Sequence, residues 1–455
     1  MNIDCYIREI AELVNMNCTK VSKSGKAGVV RAFTDTLCVS FPAIKEPGYK
    51  AACSYADTLT EGSVPVPVLS HKLDVQPAAL LWGILSHSID FDDSCPKLCG
   101  HPSVVLFSTI APLAAHYNKS GKDAIEAYIC GYEAVNRFSI GVSSPQYDKG
   151  WHTTTTIGIF GAVVAASRLL GLTVDQTINA LGIGASAACG LQSNFGTMTK
   201  TLHPGMTASN AICAVELARR GFTSSPDVFK SKFSYFSVYG GNLTPVEKDR
   251  IFTNEGIIVK FYPSCGCTTR SNDLALILRE KYKLDPDDVE KITLRISALT
   301  DNCLRYVDPS NGTEAKFCLE YCFTKCLLDG PVKIDDFKDD FVLKTKGQKR
   351  FNEISSKIYR EIPSDLGKGV PFAEEYLEAE VVLNNKEVIK VRSGAPKGFP
   401  TNPLTEDEFT AKFHDCVGSL LAKKEADALL LRMMGMENEK NFSNLMHYFT
   451  KLMHE

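Results

Sequence analysis

The sequence predicts a mainly α fold: a large helical domain and a smaller α/β (α+β) unit late in the chain, after which helical pattern returns and permits a helical domain formed by both chain ends. Three features carry this prediction. Apolar residues recur at helical spacing from the start to about residue 255. The texture then changes to the alternation of half-buried strands, and helical pattern returns at residue 405. The boundaries read this way are 1–255 plus 405–455 for the helical part and 256–404 for the inserted part. A chain of 455 residues exceeds what one hydrophobic core organises, so two domains are also the expectation from length.

In chain order, Ile7, Ile10, Ala11 and Val14 line one face of a first helix. The stretch Gly158 to Leu170 is apolar nearly all round, as in a deeply buried helix, and Gly171 stops it. Thr173-Val174-Asp175-Gln176 has the capping-box pattern that starts the next helix. Small residues from Gly182 to Cys189 allow helices to approach closely. A further helix is expected from about Met206 to Arg220, with Arg219 and Arg220 facing the negative end of its dipole and Gly221 as its stop. Lys291 to Ser297 alternates as a strand. Glu380–Leu383 and Glu387–Val391 flank Asn384-Asn385-Lys386 and read as a β-hairpin. Thr405-Glu406-Asp407-Glu408 is a second capping box, continued by Phe409, Phe413 and Val417, which permits the last helices to rejoin the first domain.

Composition narrows the partners. The formal charge is -3 and no long Lys/Arg block occurs, so nucleic acid and anionic membranes have no electrostatic footprint here. Small molecules and other subunits are the expected partners. The first residues lack the basic segment and apolar run of a signal peptide, and the apolar stretch at 157–172 is interrupted by Ser167 and Arg168, so a cytoplasmic protein is expected. The 16 cysteines are scattered through a long chain rather than spaced as a disulfide scaffold, and most are expected to be reduced and buried.

Five segments concentrate chemistry. His87-Ser88-Ile89-Asp90-Phe91-Asp92-Asp93-Ser94 runs into Cys95, Cys99 and His101-Pro102. A metal reading would use Asp92, Asp93, Cys95, Cys99 and His101 as ligands; the plain reading makes the aspartates loop and cap groups. Gly150-Trp151-His152 followed by Thr153–Thr156 places an imidazole and a row of hydroxyls near a helix N-terminus, where a carboxylate could bind; the plain reading is an N-cap and a buried histidine. Thr199-Lys200-Thr201-Leu202-His203-Pro204-Gly205 sets a lysine among hydroxyls, suited to holding a carboxylate or an enolate-like charge, with His203 read as structural. Tyr262-Pro263-Ser264-Cys265-Gly266-Cys267 carries a C-x-C pair, a redox or metal element or simply packed thiols. Tyr306, in Tyr306-Val307-Asp308-Pro309, offers a phenol.

Taken in order, Asp90-Phe91-Asp92-Asp93-Ser94, His101-Pro102, Gly150-Trp151-His152, Thr199 to Gly205, Tyr262 to Cys265 and Gly398-Phe399-Pro400-Thr401-Asn402-Pro403-Leu404-Thr405 resemble the MmgE/PrpD family, over about residues 5–415. That family includes 2-methylcitrate dehydratase, cis-aconitate decarboxylase and iminodisuccinate epimerase. The resemblance implies an α/β lid inserted into the helical domain, a homodimer, and a cofactor-free site for a small carboxylate substrate in the cleft between lid and helices. It implies catalytic roles for His101, His152, Lys200 and Tyr306, and substrate contacts from Asp90, Ser94 and Cys265, with no metal. Two departures stand out: Ser94 replaces threonine, and Cys265 replaces the histidine of the decarboxylase and dehydratase members. The activity implied is a lyase reaction on a di- or tricarboxylic acid, with epimerisation of a dicarboxylate such as iminodisuccinate as an alternative. A metal-assisted hydratase and a non-catalytic paralogue are the remaining alternatives.

Overall fold

The computed structural model describes residues 2–367 and 374–453. The chain divides into two compact units: Met1–Ser88 with Asp92–Ile257 and Thr410–Glu455, and Ile89–Phe91 with Ile258–Phe409. Mainly α is the observed class, with a four-stranded mixed sheet in the second unit.

In the first unit, helix α1 (Lys23–Cys38) begins where the Ser22 hydroxyl accepts from the Gly25 N–H, satisfying one of the donors that a helix start leaves open. It is followed by α2 (Val75–His87), α3 (Pro102–His116), α4 (Gly121–Ser139), α5 (Gly158–Leu170), α6 (Val174–Ala187) and α7 (Met198–Arg219). Helix α5 is the apolar one read from the sequence, and it packs against α3, α4, α6 and α7. It ends at Gly171 in the left-handed conformation (φ 69°), and the Thr173–Gln176 capping box opens α6. The stretch Thr153–Leu170 is long and apolar enough to cross a membrane, but 89% of it is buried inside the fold, as befits a core helix.

The C-terminal segment completes this core. Phe442 and Phe449, on the helix Phe442–Leu452, meet Phe33 of α1 and Trp82 of α2 edge-on, at 6.2 and 5.6 Å between ring centroids. Such pairs add roughly 0.5–1.5 kcal/mol each beyond the area they bury. Lys412 closes a buried 2.6 Å ion pair with Asp35 of α1.

Helix α7 departs from the sequence reading. It starts at Met198, capped by Thr197, rather than near Met206, and carries Pro204 inside it. Pro204 has no N–H for the Lys200 carbonyl four residues back, so proline reads as a break in the sequence. The chain continues through it because α7 lies hard against α2. A Cβ on Gly205 would sit 2.3 Å from the Leu80 carbonyl oxygen, and one on Gly83 would sit 2.4 Å from the Gly205 Cα. Only glycine at both positions lets these backbones touch.

The second unit holds β1 (Val289–Arg295), β2 (Ile358–Glu361), β3 (Glu378–Leu383) and β4 (Val388–Arg392) in the order β2-β1-β3-β4. Ile292 pairs with Ile358 in parallel and with Val381 in antiparallel register, and Val381 pairs with Ile389. β3 and β4 form the hairpin read from the sequence, with Lys386 of its turn at φ 70°. Helices α8 (Thr269–Glu280) and α9 (Leu319–Asp329) pack on one another. The Thr405–Glu408 capping box forms reciprocally, Thr405 N–H to the Glu408 carboxylate and Glu408 N–H to the Thr405 hydroxyl.

Candidate active site

The contact between α2 and α7 sets the first unit's polar centre. His87 follows Gly83 by one helical turn, at the C-terminal end of α2, and Lys200 and His203 stand on the first turns of α7. Spacing of three on a helix puts Lys200 and His203 on one face. His101, the N-cap of α3, and His152, just before the short helix Thr153–Thr156, bring two more imidazoles. His87 lies 4.7 Å from His101 and 6.1 Å from His152 between ring centroids, and His152 lies 5.3 Å from His203. Four histidines distant in sequence thus form one row. The ring of Phe195 meets His152 edge-on at 4.9 Å and carries the Lys200 ammonium 5.6 Å from its centroid.

Each imidazole is oriented by a partner. His87 Nδ1 lies 2.9 Å from Asp92 Oδ2, and His101 Nδ1 lies 2.7 Å from the Asp93 carbonyl and 3.3 Å from Asp92 Oδ2. Acceptors at both Nδ1 atoms fix the proton there, which leaves Nε2 as the basic nitrogen of each neutral ring. His152 Nδ1 faces His203 Nδ1 at 3.0 Å, and the His152 N–H donates to the Gly190 carbonyl.

Electrostatics separate these groups. Burial, only partly offset by the Asp92 charge, lowers His87 to about 4. Burial and then the Lys200 charge lower His203 to about 4, and burial followed by Lys200, His203, His87 and His101 holds His152 well below the usual histidine range. For Asp92 burial acts upward, but the charges of His87 and His101 and their hydrogen bonds outweigh it, and the carboxyl sits well below its ordinary value. Burial pushes Asp93 well above, although the Ser103 hydroxyl and N–H both donate to it. The result is three neutral imidazoles, His87, His152 and His203, beside an ammonium group.

The hydroxyl row after His152 is structural. Thr153 donates to the Cys99 carbonyl, Thr154 accepts from the His101 N–H, Thr155 donates to the His152 carbonyl and Thr156 donates to Gln146 Oε1. These hydroxyls hold the loops that carry His101 and His152, in line with the plain reading of this segment. The sequence-read metal set does not assemble: Cys95 Sγ turns to Asn136 Oδ1 and Cys99 Sγ to the Pro96 carbonyl, while Asp92 gathers with His87 and His101.

Of the expected site residues, the first unit brings together His101, His152 and Lys200, and Ser94 lies half-buried in the same unit. Asp90, Cys265 and Tyr306 belong to the second unit. Asp90 adopts φ 55°, and its carbonyl and Oδ1 accept from buried Lys260 Nζ at 2.7 and 2.8 Å. Cys265 Sγ lies 3.4 Å from Cys303 Sγ. Tyr306 is half-buried, and desolvation raises its phenol. His87 and His203 are the members of the imidazole row that sequence reasoning did not select, and Asp92, weighed there only as a metal ligand, is the carboxylate that orients His87 and His101. His203 was read as structural because proline followed it; its spacing of three from Lys200 is the signal that finds it once the helix is known to run through Pro204.

Residues 8–247 match the MmgE/PrpD N-terminal domain and residues 262–434 the MmgE/PrpD C-terminal domain. The chain is 26% identical to the cis-aconitate decarboxylase of Homo sapiens over 388 residues, covering 81% of this chain and 78% of that protein. It is 31% identical to the cis-aconitate decarboxylase of Aspergillus terreus over 413 residues, 85% of this chain and 83% of that one. To the cis-aconitate decarboxylase-like protein oryM of Aspergillus oryzae it is 25% identical over 429 residues, 87% of each.

Proposed function

This chain belongs to the MmgE/PrpD family, and from that premise we propose that it is a lyase acting without a cofactor on a small di- or tricarboxylic acid, as its similarity to cis-aconitate decarboxylases suggests. The observation that carries the proposal is the buried row of imidazoles beside Lys200. Decarboxylation breaks the bond to a carboxylate carbon, releases CO2 and leaves an electron pair that a proton must capture. Dehydration takes a proton from the carbon next to a carboxylate and gives one to the departing hydroxyl. Both call for a cation against a carboxylate and for imidazoles whose free ring nitrogens take and return a proton.

Lys200 is the cation that holds the carboxylate. His152, kept neutral by burial and by Lys200, takes or returns a proton, and His101 presents Nε2 because its Nδ1 is engaged by the Asp93 carbonyl. His87 and Asp92 orient His101, and His203 orients His152.

A second reading, proton removal and return at one carbon of a dicarboxylate, is favoured by one observation. At Cys265 the resemblance implies an imidazole in the decarboxylases, whereas this chain has a thiol lying against Cys303. One experiment separates the readings: proton NMR of the purified protein in D2O with cis-aconitate, trans-aconitate, citrate, 2-methylcitrate and iminodisuccinate. Loss of CO2 or water from one acid supports the lyase. Deuterium exchange without net loss supports the epimerase. An unchanged spectrum for every acid overturns both.

A further inference from the structure

A second cluster of reactive side chains lies in the second unit. Cys265 precedes the single turn Gly266–Thr268 that leads into α8, Cys267 lies within that turn, and Cys303 ends the short helix Ala298–Cys303. Cys265 and Cys303 are buried and Cys267 is half-buried. The three sulfurs all lie within 4.8 Å of one another, and Cys265 Sγ and Cys303 Sγ are 3.4 Å apart.

That spacing fits a metal ion. A tetrahedral ion with bonds of about 2.3 Å to sulfur holds its sulfurs ~3.8 Å apart, whereas a disulfide needs about 2.05 Å and joins only two of the three. The donor set is all sulfur, the choice of soft or borderline cations and not of calcium or magnesium. Three thiolates on a divalent ion leave one negative charge. Arg270, buried on the first turn of α8, carries a positive charge that acts on Cys267 after Glu375. The N-terminal end of α8 adds its partial positive charge next to the same sulfurs.

We propose that Cys265, Cys267 and Cys303 form a three-thiolate site for one thiophilic divalent cation of the zinc type, with its fourth position left to water or another small ligand. On binding, each thiol gives its proton to solvent and forms one bond to the ion, with no change in oxidation state. The site does not depend on the lyase reading.

Cadmium reports on it directly, through the ultraviolet charge-transfer band of cadmium–thiolate bonds. Titration of the reduced full-length protein should show this band saturating at one ion per chain and should show zinc displacing it. Cys267→Ser and Cys303→Ser should each weaken cadmium binding at least tenfold, while Cys5→Ser, at an exposed thiol, leaves it unchanged. If a serine variant fails to fold, peptide mapping of the unaltered protein serves instead: cadmium should protect Cys265, Cys267 and Cys303 together from N-ethylmaleimide. No charge-transfer band, a band indifferent to both variants, or a Cys265–Cys303 disulfide in a protein whose reduced form ignores cadmium would overturn the site.

Discussion

His152 and His203 meet through their Nδ1 atoms at 3.0 Å, so one ring carries its proton at that nitrogen and the other does not. Two protonated Nδ1 atoms cannot share this contact. His203 therefore fixes the tautomer of His152, and its bulk helps keep that ring buried, burial being the largest cause of the low His152 value. Removing His203 by His203→Ala should let His152 titrate at higher pH. The acid limb of the kcat/KM profile then moves to higher pH, and turnover falls about tenfold or more. An unmoved profile would make His203 a packing residue.

Lys200 acts on the same rings. It contributes to the lowering of His87, His152 and His203, and the proposed reaction uses its charge on a carboxylate. Lys200→Met keeps the apolar stem and removes the charge. It should cut turnover at least about a hundredfold, leave the melting temperature near that of the parent, and raise the three histidine values seen by NMR. Near-normal turnover would remove Lys200 from the mechanism.

The low value of His203 also has a stability consequence with a definite sign. The group is neutral in the folded chain down to about pH 4 and titrates near 6.5 when unfolded. Its contribution is thus fully present above pH 6.5 and is lost as pH falls from there towards 4. The slope is at most about 1.4 kcal/mol per pH unit. Carboxyls raised by burial, such as Asp93, run the other way, so the clean measurement is a difference. Denaturant unfolding of the parent and of His203→Gln from pH 7.5 to 4.5 should show the parent losing stability faster. Parallel curves would mean that His203 titrates normally.

The Asp35–Lys412 pair ties the C-terminal segment to α1 with both side chains buried. Lys412→Met leaves a carboxylate without its ammonium and should cost roughly 3–5 kcal/mol. Asp35→Asn combined with Lys412→Met should recover part of that loss, because the stranded charge is gone. A double variant no better than the single one would place the cost in packing.

Local signals in the sequence were legible because their physics is local. The Thr173 and Thr405 capping boxes, the Gly171 stop and the Asn384–Lys386 turn each depend on a few adjacent residues. The first three catalytic candidates of the helical unit came from motif order and do gather in one unit. Other features depended on contacts between distant segments. Pro204 looked like a helix break because the α2 backbone packed against its neighbour is far away in sequence. For the four threonines after His152 the sequence left an anion site and a structural role both open, because several of their partners, among them the Cys99 carbonyl and Gln146, lie on other segments. Cys303 could not be joined to the C-x-C pair, since nothing local to it marks a ligand.

The close approach of Gly83 and Gly205 is the most direct test of how the fold positions the imidazole row. A methyl at residue 205 would meet the Leu80 carbonyl oxygen at 2.3 Å, and one at residue 83 would meet the Gly205 Cα at 2.4 Å. Both obstacles are backbone, so no rotamer change relieves them, and the helices themselves must separate. Overpacking of this kind costs about 1–3 kcal/mol, occasionally more. Gly205→Ala should therefore lower the melting temperature by several degrees. It should also reduce turnover more than that stability loss explains at a temperature where the variant is fully folded, because α2 carries His87 while α7 carries Lys200 and His203. Gly221→Ala, where a methyl meets nothing within 4 Å but the backbone has φ 93°, is the matched control: it costs stability through strain and should leave turnover of the folded protein unchanged. Equal effects of the two substitutions on turnover would show that the α2–α7 contact does not set the site geometry.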